Sequence, residues 1–228
     1  MNVGIAYDAF TESFRRYYPD IKVIKNDSVE EVNKYDLVIL SGGEDISSSF
    51  YTMGHDKNLS FEVNPHRDDV EKRIFSTAIN LNKKVLGVCR GHQLINCLVY
   101  NLGNNFIQDI TVFGYKPHHG EHSLEILEPG IINNCFKTVN SYHHQGISRS
   151  YLKVTSMYEG VVESCETDQI ITTQFHPEFM GSKSITFFKL IEEWVNKKVN
   201  KEKKVVKSSH DLVDWDFTTY SGSSTTTH

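Results

Sequence analysis

Short apolar runs alternate with helical patterns through the first half of the chain. Val3-Gly4-Ile5-Ala6 is brief and apolar, and Ile21 to Ile24 offers a second candidate strand. Leu37-Val38-Ile39-Leu40 is a continuous apolar run that gives way to Gly42-Gly43. An unbroken run of this kind suits a central parallel strand buried on both faces. Ser28 to Lys34 opens with a serine suited to capping a helix, and Glu31 stands at capping-box spacing from it. Val70, Ile74, Ala78 and Leu81 then recur at helical spacing among charged residues. Val85-Leu86-Gly87-Val88 reads as another buried strand. Leu94, Ile95, Leu98 and Leu102 line the helix after it, with Gly103 as its natural stop. Strand and helix in alternation predict a parallel sheet with right-handed crossovers.

The second half changes character. Ser123 to Leu127, Lys153 to Met157, Val161 to Cys165 and Ile170 to Phe175 are short β-rich runs with tight links. They predict antiparallel additions to the same sheet. A last helix over about Ser184 to Lys198 carries Phe187, Phe188, Ile191, Trp194 and Val195 on its apolar side. Beyond it the chain turns lysine-rich and then Ser/Thr-rich, with little to bury. One folded domain is therefore expected over 1–198, followed by a disordered tail over 199–228.

Composition narrows the function classes. The 228 residues carry a formal net charge of -5, which argues against a general binder of nucleic acid or membrane surfaces. No apolar run approaches the roughly 20 residues that span a bilayer, and Met1 to Phe10 lacks the basic start of a signal peptide. A cytoplasmic location is the expectation. Cys89, Cys97, Cys135 and Cys165 are widely spaced, so neither a disulfide framework nor a C-x-x-C zinc motif is expected. No G-x-x-x-x-G-K-[ST] loop is present to handle ATP.

The chemistry concentrates in two places. Gly87-Val88-Cys89-Arg90-Gly91 follows a buried strand and precedes a helix. This is the G-x-nucleophile-x-G elbow with cysteine in the serine position. The turn lifts the sulfur to a helix N-terminus, where the helix dipole favours thiolate over thiol. Gln174-Phe175-His176-Pro177-Glu178 ends a β-rich run. His176 is the candidate base. Glu178, two residues on, is placed to accept from the far imidazole nitrogen and so fix its tautomer.

With elbow and base in hand, the sequence resembles the class I glutamine amidotransferases, and more closely the free-standing γ-glutamyl hydrolases of the peptidase C26 group. The matching blocks are Ser41-Gly42-Gly43-Glu44-Asp45-Ile46 with Tyr51, Arg67-Asp68 with Glu71, Gly87 to Asn96, Gln108-Asp109-Ile110, Val139 to Gln145, Glu159 to Glu163, and Gln174 to Glu178. The resemblance implies a flavodoxin-like α/β fold with a central, mostly parallel sheet. It implies a Cys89-His176-Glu178 triad and an oxyanion hole from the backbone N–H groups of Gly43 and Arg90. It also implies that Gln93 holds the glutamyl group and that the backbone around Ser141, Tyr142 and His143 receives its α-amino end. Arg after the nucleophile is typical of the free-standing hydrolases, whereas synthetase-linked amidotransferases more often carry Leu, Tyr or Met there. Ser41 and Glu44 depart from the usual Pro and Gly, Gly103-Asn104-Asn105-Phe106 departs from Gly-Gly-x-Leu, and the stretch from Tyr51 to Asn64 is short. These departures leave the triad intact and concern the amine-side pocket.

The activity so implied is hydrolysis of a small γ-glutamyl amide, with no cofactor, no nucleic acid or membrane partner, and a homodimer left open. A nucleotide-linked amidate heads the substrates, since the compact γ-glutamyl-CDP-amidate hydrolases of capsule modification share the Cys-Arg-Gly-His-Gln pattern. γ-Glutamyl-γ-aminobutyrate comes next. A glutaminase subunit that passes ammonia to a synthetase is the alternative, and a non-catalytic binding protein the least favoured. His118, His119 and His122 cluster in sequence, with His143 and His144 further on. No Asp or Cys shares their spacing, so a metal site is not expected; His119 or His122 is better suited to lining the leaving-group pocket. With Arg90, such histidines would suit a phosphate-bearing leaving group.

Overall fold

The structure is a computed structural model that describes residues 1–51, 56, 59–100 and 105–197, with the backbone alone for Tyr100. Along the described chain run β1 (Val3–Ile5), α1 (Thr11–Arg15), β2 (Lys22–Val23), α2 (Val29–Val32), β3 (Leu37–Leu40), α3 (Pro65–Asn80), β4 (Lys84–Val88) and α4 (Arg90–Tyr100). Then come β5 (Phe106–Ile107), β6 (His119–Ser123), β7 (Glu125–Ile126), α5 (Ile131–Cys135), β8 (Thr138–Tyr142), β9 (Gly146–Ile147), β10 (Val154–Tyr158), β11 (Val161–Glu166), β12 (Ile170–Thr173) and α6 (Ser182–Asn196).

The main sheet has the order β2-β1-β3-β4-β12-β11-β10-β7. Its first five strands are mutually parallel, and the last three are antiparallel. Every residue of β3 and β4 is buried, as strands covered on both faces must be. Alternate side chains of these strands serve opposite faces. Val38, Leu40 and Val85 pack with Ile74 and Ala78 of α3 and Leu94 and Ile95 of α4. Leu37, Ile39, Leu86 and Val88 pack with Phe14 of α1 and Phe187, Phe188 and Ile191 of α6.

Local signals explain the helix starts. Ser28 Oγ accepts from the N–H of Glu31 at 3.2 Å, which is half of a capping box. The Glu31 carboxylate completes no box, because it accepts from Lys34 and the backbone N–H of Lys25 instead. Asn64 caps α3 by accepting from the N–H of Arg67 at 3.1 Å, with Pro65 in the first turn.

The second half differs from the sequence expectation in four ways. β12 is antiparallel to β11 but parallel to β4, so it closes the parallel block rather than extending it. Ser123 to Leu127 is divided at Leu124 between β6 and β7. β6 leaves the main sheet altogether and pairs with β8, as β5 pairs with β9. The helix expected over Ser184 to Lys198 starts two residues earlier and ends at Asn196. The helix stop at Gly103 and the tail over 199–228 lie outside the described residues. No helix among the described residues is long and apolar enough to cross a membrane.

Candidate active site

β4 ends at Val88 and α4 begins at Arg90, so Cys89 is the single turn residue between strand and helix. Its φ is 52°, a left-handed conformation that costs a non-glycine residue on the order of 1–3 kcal/mol. The neighbours hold it there. Its N–H donates to the Thr173 carbonyl of β12 at 2.7 Å. Gly91 lies so close to β3 that a Cβ would run into the Leu40 carbonyl. The Gln174 amide nitrogen stands 3.8 Å from Sγ.

β12 delivers His176 to the same edge of the sheet. His176 lies beside Cys89, whose charge acts on its imidazole, and its Nδ1 meets Glu178 Oε1 at 2.7 Å. Asn140 of β8 grips the backbone of His176 twice: Nδ2 donates to its carbonyl and Oδ1 accepts from its N–H, both at 2.9 Å. Tyr17 donates to the carbonyl of Glu178 at 2.9 Å. Gly42 passes beneath the imidazole, where a Cβ would sit 2.6 Å from Cε1. Burial by itself would lower the pKa of His176. The charge of Cys89, with Glu178 behind, outweighs it and pushes the imidazole up from 6.5 to about 10. The imidazolium form of His176 is thus favoured wherever Cys89 carries its charge.

The triad opens onto a cleft of about 660 Å³ whose lining includes Gly43, Cys89, His176, Asn140 and Tyr142. Phe10 and Phe179 flank His176, with ring centroids 5.9 and 5.7 Å from the imidazole. Lys183 and Glu121 supply charge to the same cleft. Gln93 is buried, and its amide donates to the carbonyl of Gln145 at 2.9 Å and to Gln174 Oε1 at 3.2 Å. Of Ser141, Tyr142 and His143, only the side chain of Tyr142 lines the cleft. Ser141 Oγ donates inward to the His118 carbonyl at 2.7 Å. His143 is buried, and burial, reinforced by His118, holds its imidazole well below the usual histidine range.

Two expectations about the leaving-group side need correction. The Arg90 guanidinium does not enter the cleft. It is 1% exposed and pairs with Asp68 and Glu71 of α3, while Arg67 bonds Glu71 at 3.0 Å, Glu44 at 2.6 Å and the Gly42 carbonyl at 2.8 Å. Any role for Arg90 in the cleft is limited to its backbone. His122 likewise points inward, stacked on Tyr158 at 3.9 Å, because β-strand alternation gives the cleft side of β6 to Glu121.

Sequence reasoning named no role for Phe10, Phe179, Met180, Lys183, Glu121 or Asn140. Asn140 lay inside a resemblance block without a task. Phe10 has the left-handed φ of 57°, which no sequence signal marks.

The Peptidase C26 profile matches residues 21–178. Protein NtpR of Enterococcus hirae is 33% identical over 176 residues, covering 68% of this chain and 72% of its own. The glutamine amidotransferase-like protein YvdE of Lactococcus lactis is 27% identical over 197 residues, covering 77% and 81%. Among solved structures, the glutaminase domain of Trypanosoma brucei CTPS with bound acivicin superposes with a TM-score of 0.58 at 13% identity, covering 87% of this chain and 95% of that one. The fold is that of the class I glutamine amidotransferases, and the chain belongs to the Peptidase C26 family.

Proposed function

We propose that the protein hydrolyses a γ-glutamyl amide, with Cys89 as nucleophile, His176 as proton carrier and Glu178 as the group that orients it. One juxtaposition carries the reading. A cysteine held at φ 52° lies beside an imidazole that is hydrogen-bonded to a carboxylate, on the wall of an open cleft.

A thiolate at Cys89 paired with an imidazolium at His176 starts the mechanism. The imidazole Nδ1 is committed to Glu178, so Nε2 serves the sulfur. The thiolate attacks the γ-carbonyl carbon, and the oxyanion accepts from the N–H groups of Gly43 and Arg90. Each such donor is typically worth about 3–4 kcal/mol at the transition state. The C–N bond breaks as His176 gives its proton to the leaving nitrogen. The neutral imidazole then takes a proton from water, which opens the γ-glutamyl thioester and releases glutamate.

The leaving amine would face Phe10, Tyr142 and Phe179, with Lys183 as the nearby cation. That rim suits an amine with an apolar or flat portion and an acidic group. γ-Glutamyl-γ-aminobutyrate supplies the acid. γ-Glutamyl-CDP-amidate supplies the acid and a base able to stack on the aromatic rings.

The test is glutamate release from a panel of γ-glutamyl amides, including glutamine, the aminobutyrate conjugate and a nucleotide-linked amidate. Conjugates should outrun glutamine, and Cys89→Ala should reduce turnover to background. Glutamine outrunning every conjugate, above all on addition of a synthetase, would favour the glutaminase alternative. Appreciable turnover by Cys89→Ala would end the assignment.

A further inference from the structure

Behind the wall of the cleft, three strands bring together four side chains that the proposed hydrolysis does not use. Glu163 of β11 is fully buried, and neither of its carboxylate oxygens has a hydrogen-bond partner among the described residues. His118 precedes β6, His122 lies on β6, and His143 follows β8; all are buried. His118 Nδ1 stands 3.2 Å from Glu163 Oε1 and 3.3 Å from His143 Nε2. His143 Nε2 is 3.9 Å from Glu163 Oε1, and His122 Nε2 is 3.6 Å from it. The spacing of histidines in the sequence offered no acidic partner. The fold supplies one from a distant strand.

A buried carboxylate without donors is costly unless a positive charge compensates it. Here the atoms nearest to it are imidazole nitrogens. At His143 the tautomer is settled. Nδ1 lies 2.8 Å from the carbonyl of Gln145, which can only accept, so Nδ1 carries the hydrogen and Nε2 presents a lone pair. This is the outer-shell arrangement that orients metal-bound histidines. Two of the three distances within the trio, 3.2 and 3.3 Å, match as well. A tetrahedral zinc with ligands at about 2.0–2.1 Å sets those ligands about 3.3–3.4 Å apart.

We propose that His118, His143 and Glu163 form a binding site for a divalent transition-metal ion of the zinc class, with His122 beside Glu163 at its edge. The ion would tie β11 to the β6–β8 ribbon, whose Asn140 holds His176 and whose Tyr142 lines the cleft. Its role is structural support of the substrate wall. It does not depend on the γ-glutamyl reading.

The test uses the full chain carrying Cys89→Ser, which removes the active-site thiolate as a competing ligand. Zn²⁺ alone is added to chelator-treated protein, excess is removed, and retained metal is counted by mass spectrometry. One equivalent should remain, thermal stability should rise with free Zn²⁺, and Co²⁺ should give the strong visible bands of a four-coordinate site. Adding Glu163→Gln should weaken Zn²⁺ binding by about tenfold or more. The proposal fails if no metal is retained, or if Glu163→Gln binds equally well. Should that variant not fold, the Co²⁺ spectrum of the Cys89→Ser chain decides. Four-coordinate bands support the site, and a weak six-coordinate spectrum overturns it.

Discussion

Asn140 is the residue whose side chain holds the backbone of His176 on both sides. Its side chain donates to the His176 carbonyl and accepts from the His176 N–H, each at 2.9 Å, in a setting that is 6% exposed. Asn140→Ala removes both partners at once. A buried polar group left unsatisfied costs about 1–3 kcal/mol, and two such groups set an upper bound of about 6 kcal/mol. The cleft borders this position, so water can reach part of the exposed backbone and lower the cost to about 2–4 kcal/mol. The loss of register also reaches the chemistry. A displacement of the imidazole on the order of 1 Å reduces kcat by about a hundredfold. Urea unfolding gives the first number and glutamate release the second. Asn140→Asp keeps the acceptor for the N–H and loses the donor to the carbonyl, so it should fall between wild type and Asn140→Ala. An Asn140→Ala protein that loses under about 1 kcal/mol and keeps its kcat would refute this account of how the base is held.

Other expectations concern the same imidazole. His176 is raised from 6.5 to about 10, so its contribution to stability is fully present below about pH 6.5 and is lost as pH rises through about 10. Turnover should fall in the same alkaline window as the imidazolium is lost, and Glu178→Gln should move that limb to lower pH; a wild-type limb near 6.5 in a pH–rate profile would contradict the coupling to Cys89. Gly42→Ala places a Cβ 2.6 Å from the ring carbon Cε1, so it should displace the imidazole and cost about a hundredfold in kcat while circular dichroism shows the fold retained. Full activity in that variant would mean that the ring has room to move without loss.

The parts of the fold and site that were legible from sequence are those where local pattern and burial agree. Leu37 to Leu40 and Val85 to Val88 are apolar throughout and are central strands. The elbow at Cys89 needs glycine on both sides for steric reasons that survive in any context. β12 was harder. Thr172 and Thr173 are fully buried, and their hydroxyls are occupied by His92 and by the Phe175 carbonyl, so polar residues disguise a strand of the parallel block. Glu163 is misleading in the same way. A carboxylate between valines and a serine reads as an exposed strand position, yet its side chain is entirely interior. Arg90 could be placed beside the nucleophile by its number, but nothing local tells its guanidinium to seek α3. β8 and the aromatic rim depend on long-range contacts that no short window contains.

The chain of charges beneath the elbow ties position 90 to a neighbouring helix. Arg67 and Arg90 face Glu44, Asp68 and Glu71, and removing one member of a buried pair costs about 3–5 kcal/mol. A leucine or methionine at position 90 would strand three acids with a single guanidinium in the interior. Replacing Arg90 by leucine without matched changes at Asp68 and Glu71 of α3 should therefore lower stability by about 3–5 kcal/mol in urea unfolding. The side chain next to the nucleophile and the acids of α3 must therefore be changed together.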